Sequence, residues 1–292
     1  MGLIGKSGSG KTTLIKCIYG LEDLHNGEIN LNGETVTGPS YNLIPGHKNM
    51  SLVSQEYYVL DNHTVQENIT DKLIGYTDEA KQKRVTQILN LLELNALRNT
   101  KARFLSSGQK QRVAIARALT IIPDLLLLDE PFSNLDRLLS EKLYAFINKE
   151  VKKKNTSVIL ITHQTDEALK YADRIGIVDG GKLIEINEKW EVYYNPKNVK
   201  LAGLLGEYNI LKKSDFEKEG ARTLKKNVFL RPDKITLNKT NSVLKIPITI
   251  LHCSYNGKCY EVLAETKNGQ TLLFYSNTTQ PSGKSTIASV KN

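Results

Sequence analysis

Gly5-Lys6-Ser7-Gly8-Ser9-Gly10-Lys11-Thr12 follows the apolar pair Leu3-Ile4 and runs directly into Leu14, Ile15, Ile18 and Leu21 at helical spacing. A glycine, four residues and then Gly-Lys-Thr, set between a strand and a helix, is the phosphate-loop pattern. Glycines let the backbone curl so that its N–H groups face phosphate oxygens, and the helix that follows brings its positive end to the same place. Lys11 adds a point charge for the β- and γ-phosphates, and Thr12 offers a hydroxyl to Mg²⁺. A strand feeding such a loop belongs to an α/β fold with a largely parallel sheet.

Working outward, short apolar runs alternate with helical patterns as far as about Asp173, as expected for that architecture. Leu125-Leu126-Leu127-Leu128 is unbroken and ends in Asp129-Glu130, while Ser157 to Thr162 ends in His163. Both read as buried parallel strands. Ligands of open α/β sheets bind outside the strands' carboxyl ends, so Asp129, Glu130 and His163 are expected to converge. Asn32-Gly33 and Asp179-Gly180-Gly181 read as hairpin turns that add antiparallel strands to the sheet. From Asp71 to Leu97 a stripe of Val85, Ile88, Leu89, Leu92 and Leu94 among Lys, Glu and Gln predicts a helical insert.

Beyond Trp190 the character changes, through a helical connector to Gly206, a lysine-rich stretch and Val228-Phe229-Leu230-Arg231-Pro232. Val243 to Leu251, Tyr260 to Glu265 and Thr271 to Tyr275, separated by Asn256-Gly257 and Asn268-Gly269, predict a small antiparallel barrel or sandwich. His252, Cys253 and Cys259 lie in this strand pattern without a nearby fourth ligand and read as packed or surface residues, not a metal site.

The chain has 292 residues, enough for a large domain and a small one. No run approaches the roughly 20 apolar residues of a membrane-spanning helix, and the first residues lead into a glycine-rich loop, not a leader peptide. Its three cysteines, Cys17, Cys253 and Cys259, are odd in number and scattered, which fits free thiols in a reducing compartment. The net charge of +9 is spread over helices with interleaved acids, so it reads as a solvated surface and no nucleic-acid partner is expected.

Asp129 and Glu130 suit two distinct tasks at a phosphate loop. Asp129 can hold magnesium through water, and Glu130 can polarise an attacking water, because a metal-bound triphosphate supplies its own electrophile. Upstream, Leu105-Ser106-Ser107-Gly108-Gln109-Lys110-Gln111-Arg112 opens a helix through Ala114, Ile115 and Ala118, offering a second anion-binding end at Ser106, Gly108 and Gln109. This run resembles the signature sequence of ABC ATPases, with Ser107 where that family usually has glycine.

The resemblance implies a phosphate-loop NTPase domain of the ABC type over residues 1–205, with its helical insert at about 70–118. A connector at 206–227 and a small β-barrel-like domain at 228–292 follow. It further implies that Gly5 to Lys11, Thr12 and Thr13 bind ATP, that Gln55 after Leu52-Val53-Ser54 is the loop glutamine touching magnesium, and that Ser133 to Asp136 meets a partner subunit. His163 corresponds to the switch histidine. Ser106, Gly108 and Gln109 would bind the γ-phosphate of ATP held by the opposite subunit, so a homodimer or paired ABC ATPase is implied. Tyr193-Tyr194-Asn195-Pro196, Leu205 to Asn209 and Leu230-Arg231-Pro232-Asp233 resemble the later parts of importer ATPases for sugars, polyamines, iron or oxyanions. Such a subunit sits on the cytoplasmic face of the inner membrane and works with transmembrane permease subunits and a solute-binding protein. Members of the family usually carry two antiparallel strands and an adenine-stacking aromatic ahead of the phosphate loop; starting at Met1-Gly2-Leu3-Ile4, this chain is expected to lack them. Two rival readings are a soluble ABC ATPase acting on nucleic acid or ribosomes and a non-hydrolysing regulatory subunit.

Overall fold

The computed structural model describes residues 1–217, 227–237 and 244–290; connector residues 218–226 and Val243, which heads an expected strand, lie outside the described residues. The chain divides into two compact units, Met1–Asn187 and Glu188–Asn292.

In the first unit, β1 (Gly2–Ile4) feeds the phosphate loop and α1 (Lys11–Tyr19). The short strands β2 (Asn30–Leu31) and β3 (Glu34–Thr35) precede β4 (Met50–Val53). Three helices make the insert: α2 (Val65–Thr70), α3 (Asp78–Leu91) and α4 (Ser107–Thr120). Then come β5 (Leu125–Asp129), α5 (Arg137–Lys154), β6 (Ser157–Ile161), α6 (Thr165–Tyr171), β7 (Arg174–Asp179) and β8 (Lys182–Glu188).

Among the described residues the main sheet has six strands in the order β4-β5-β6-β1-β7-β8. The pairs from β4 to β7 are parallel. Although β1 is only three residues long, it is buried throughout and pairs on both sides. Successive leucines of β5 serve opposite layers, as the period of a strand requires. Leu125 and Leu127 pack with Leu3, Ile15 and Ile161, whereas Leu126 and Leu128 pack with Ile115, Leu119, Leu143 and Ile147 of the insert and α5.

Both expected hairpins form, but only one extends this sheet. Gly180 and Gly181, at φ 54° and 75°, make the two-residue turn that brings β8 beside β7. The turn at Asn32-Gly33 instead closes a separate ribbon of β2 and β3. Asn30, Glu34 and Thr35 are exposed, while Leu31 packs against the cluster that holds Leu3 and Leu127, so among the described residues the ribbon meets the core through side chains and not through the main sheet's ladder.

The insert follows its predicted stripe, with Val85, Ile88, Leu89, Leu92 and Leu94 all buried. The helix stops before Leu94: Glu93 turns to φ 55° and the Leu94 N–H reaches back to the Leu89 carbonyl at 2.9 Å, which returns Leu94 to the core. Arg84 of α3 closes the last turn of α4 by donating to the Thr120 and Leu119 carbonyls at 2.9 and 2.7 Å.

The second unit begins with α7 (Lys189–Tyr194) and α8 (Val199–Ala202), then β9 (Asn209–Leu211), β10 (Val228–Leu230) and β11 (Ile235–Leu237). β12 (Lys245–Tyr255), β13 (Tyr260–Thr266), β14 (Thr271–Ser276) and β15 (Ser285–Val290) complete it. Among the described residues, β11-β15-β12-β13-β14 form an antiparallel sheet whose end strands approach without pairing, a half-barrel. β9 and β10 form their own ribbon. The turns fall at Asn256-Gly257 and Asn268-Gly269 as the sequence predicts, while β9, β10, β11 and β15 add to the three strands expected there.

Residues 188–205 group with this second unit, and Arg231 is one of the residues that tie them to it. It is 1% exposed and donates to the carbonyls of Tyr193 (2.8 Å), Gly206 (2.7 Å), Glu207 (3.1 Å) and Ala202 (3.0 Å). Replacing it with Met keeps the bulk but orphans those carbonyls. Arg231→Met is therefore expected to lower unfolding free energy by about 2–4 kcal/mol, read as an earlier urea midpoint for the second unit; an unchanged midpoint would show the guanidinium to be dispensable.

Candidate active site

The phosphate loop has no room for side chains where it leaves the sheet. A Cβ on Gly5 would come within 2.2 Å of the Val178 carbonyl oxygen and 2.7 Å of Ser9 Oγ. Gly10, at φ 96°, caps α1 without contributing a side chain, so the first N–H groups of that helix face the loop's concavity. Lys11 folds back into it, its Nζ donating to the Gly5 and Lys6 carbonyls at 3.0 and 2.9 Å. Lys6, Ser7, Gly8 and Thr13 are exposed around it, and Ser9 is buried.

Thr12 and Asp129 meet across the sheet, the Thr12 hydroxyl donating to Asp129 Oδ2 at 2.8 Å. Asp129 is 1% exposed, and its Oδ1 is buried without a hydrogen-bond partner. A buried carboxylate oxygen left open beside a threonine hydroxyl fits a hard divalent cation such as Mg²⁺. Gln55, exposed in the loop after β4, lines with Thr12 a cavity of about 980 Å³ that also takes in Lys16, Lys72 and Arg117. No hydrogen bond joins Gln55 to Thr12 or Asp129 among the described residues.

Glu130 continues the β5 ladder, its N–H reaching the Ile161 carbonyl at 3.0 Å, and then turns to φ 50°. That left-handed conformation is costly for a residue with a side chain. The turn sends its carboxylate to His163, whose Nδ1 lies 3.3 Å from Glu130 Oε1. Thus the structure brings together Lys11, Thr12 and Asp129, and separately pairs Glu130 with His163.

The signature turn is elsewhere on the unit. Ser106 caps α4 in a reciprocal box, Ser106 Oγ accepting the Gln109 N–H at 3.3 Å while Gln109 Oε1 accepts the Ser106 N–H at 2.9 Å. Among the described residues no hydrogen bond or ion pair ties Ser106, Gly108 or Gln109 to the phosphate loop. Gly108 has only ordinary contacts, to Asn134, so packing within the chain does not demand a glycine there.

Three residues at the site escaped the sequence reading. Gln111 sits fully buried under Glu130, its Nε2 donating to the Pro131 carbonyl at 3.0 Å. Its signal was a polar residue on the apolar stripe of Ile115 and Ala118. Glu167, in the first turn of α6, accepts from Thr162 Oγ1 at 2.5 Å, and its carboxyl is raised above the ordinary value, chiefly by burial. Tyr57 accepts from Asn134 Nδ2 at 2.7 Å, tying the loop after Gln55 to the loop after Glu130. Neither of these last two had a readable sequence signal.

Known proteins resemble this chain in sequence and in fold. The ABC transporter family profile matches residues 1–133. The chain is 35% identical to a sulfate/thiosulfate import ATP-binding protein of Synechococcus elongatus over 93% of this chain and 79% of the relative. It is 35% identical to an Fe(3+) ions import ATP-binding protein of Haemophilus influenzae over 83% of this chain and 69% of that one. Among solved structures, a dimeric ATP-binding cassette in a post-hydrolysis state with ADP and Pi superposes with TM-score 0.56 at 27% identity, covering 64% of this chain and 84% of that one. The ATP-binding subunit of an ABC transporter gives TM-score 0.60 at 26% identity over 70% and 82%.

Burial raises the Asp129 carboxyl above its ordinary value, with the Thr12 hydrogen bond opposing. A raised acid holds its proton more tightly in the folded chain than in the unfolded one, so the stability it lends falls as pH climbs from the ordinary carboxylate range through the raised value. In EDTA without nucleotide, Asp129→Asn is expected to melt above the parent protein at about pH 7.5, the gap closing toward about pH 4. Melting curves across that range check this, and a variant that melts lower at neutral pH contradicts it.

Proposed function

This chain belongs to the ABC transporter ATP-binding family, and from that premise we propose that it hydrolyses ATP to energise uptake of a small solute through a partner permease. The observation that carries the chemistry is the Thr12–Asp129 pair at the mouth of the phosphate loop, with Asp129 Oδ1 open and Lys11 beside it. ATP would place its β- and γ-phosphates in the loop, where Lys11 exchanges the Gly5 and Lys6 carbonyls for phosphate oxygens and the α1 N–H groups donate to others. Thr12, Asp129 and Gln55 are the groups that would hold Mg²⁺, which when bound neutralises phosphate charge.

Glu130 takes the proton of the attacking water as its oxygen bonds to the γ-phosphorus and the bond to ADP breaks. His163, held against Glu130, fixes that carboxylate and offers its other ring nitrogen to the γ-phosphate. Ser106, Gly108 and Gln109 serve the nucleotide of a paired subunit through the N-terminus of α4. The dimeric neighbour supports that pairing. Among the described residues no helix is long and apolar enough to cross a membrane, and in this reading the solute path belongs to permease subunits. A place on the cytoplasmic face of the membrane and a solute-binding protein in the same system complete the proposal; the names of the relatives, which import sulfate or iron, support import over work on nucleic acid.

Glu130→Gln is the direct test. Phosphate release is expected to fall by about a hundredfold or more while ATP still binds, because only proton removal is lost. Turnover assays paired with ATP-binding measurements check it; retained turnover would remove Glu130 from the chemistry. Lys11→Ala, in contrast, is expected to weaken ATP binding itself, by about tenfold or more in Kd.

A further inference from the structure

Gln111 has no part in the chemistry above, yet its surroundings are unusual for a core position. The side chain is 0% exposed on the apolar face of α4. Its Nε2 faces the Glu130 carbonyl at 3.4 Å, the Pro131 carbonyl at 3.0 Å and Ser133 Oγ at 3.4 Å. Its Oε1 is buried with no hydrogen-bond partner. A leucine or methionine would fill the same space without stranding an acceptor, so packing alone does not account for an amide here.

What the amide touches does account for it. Glu130 stands at φ 50°, a conformation that reverts to a right-handed or extended one unless its surroundings fix it. On its N–H side the Ile161 carbonyl holds it at 3.0 Å. On its carbonyl side the Ser133 hydroxyl donates at 3.0 Å and the Ser133 N–H at 3.3 Å, and Gln111 closes the same group from beneath. Relaxing that carbonyl would rotate the Glu130 Cα–Cβ bond and carry the carboxylate away from His163.

We infer that Gln111, together with Ser133, is a positioning clamp that locks the Glu130 main chain in its left-handed turn and thereby aims the carboxylate at the attacking water. The inference rests on the reading that Glu130 activates that water. It also makes α4 a rigid piece joining the Ser106–Gln109 turn to the Glu130 turn, since Gln111 lies within the helix that Ser106 caps.

The experiment is steady-state ATP hydrolysis by the full chain carrying Gln111→Met, Ser133→Ala and Glu130→Gln, singly and with Gln111→Met combined with Glu130→Gln. Misaiming a reacting group by about 1 Å costs on the order of a hundredfold in rate, so Gln111→Met is expected to lower kcat by about tenfold to a hundredfold. KM for ATP should stay within about twofold, because the phosphate loop is untouched. Ser133→Ala should show the same pattern more weakly, and Gln111→Met should add nothing once Glu130 is already Gln. A wild-type kcat in Gln111→Met overturns the clamp, as does a loss that multiplies with Glu130→Gln. Should Gln111→Met fail to accumulate folded, Ser133→Ala decides, an undiminished kcat there overturning the inference. Loss of turnover in Glu130→Gln with a silent Gln111→Met leaves the proposed function standing and removes the clamp alone; retained turnover in Glu130→Gln removes the premise of both.

Discussion

Leu3, Ile161 and Asp129 stand in one row across β1, β6 and β5, because Ile161 is the parallel partner of both the others. The phosphate loop, the paired carboxylates and the histidine are all measured from that row. Within two residues beyond it, β1 passes into the phosphate loop, β5 into Glu130 and β6 into Thr162 and His163. A strand as uniformly apolar as β5 does not choose its own register, since a slip by one residue still buries leucine on both faces. The polar ends choose it. At the near end the Ser157 N–H bonds the Asp124 carbonyl at 2.9 Å and Thr156 Oγ1 bonds the Pro123 carbonyl at 2.7 Å; at the far end Asp129 meets Thr12 at 2.8 Å.

Beyond that row, the site departs from what stability alone would select. Asp129 is a carboxylate in a nearly dry position, Glu130 carries a left-handed backbone, and Gln111 keeps an orphaned acceptor. Each is unfavourable by roughly 1–3 kcal/mol in general terms. Full burial of a single leucine contributes about 1.5–3 kcal/mol, and β5 alone has four in succession. The apolar strand is thus what allows the polar irregularities at its end to persist, and they cluster where phosphate chemistry needs an open oxygen, an aimed carboxylate and a fixed turn.

Periodicity made the first unit readable. The phosphate loop, the apolar runs of β5 and β6, the stripe of α3 and both glycine turns stand in the sequence as local patterns, and each has its element. What local pattern does not carry is partnership. Nothing around Asn32-Gly33 says that its ribbon stays apart from the main sheet's ladder and touches the core only through side chains such as Leu31. Glu167 against Thr162 and Tyr57 against Asn134 are likewise contacts made by the fold between segments that sequence leaves separate. In the second unit, β9, β11 and β15 are three to six residues long. Three-residue strands such as β9 and β11 offer too few alternations to stand out, and pairing with distant segments decides them.

Buried polar side chains show a common logic in both units. Asn68 bonds the carbonyls of Leu60, His63 and Thr64 and the N–H of Leu60, serving the irregular chain that enters α2. Arg84 serves the last turn of α4, Asn209 the Leu273 main chain, and Arg231 the bends between α7 and β9. Where backbone leaves a ladder or helix yet remains buried, its N–H and carbonyl groups require partners, and in each of these places a side chain supplies some of them. Gln111 obeys the rule for Pro131 and Glu130 but, unlike Asn68, leaves its own oxygen without a partner. An amide retained at that cost is explained by the residue it holds, because Glu130 is the one among these supported turns whose side chain faces His163.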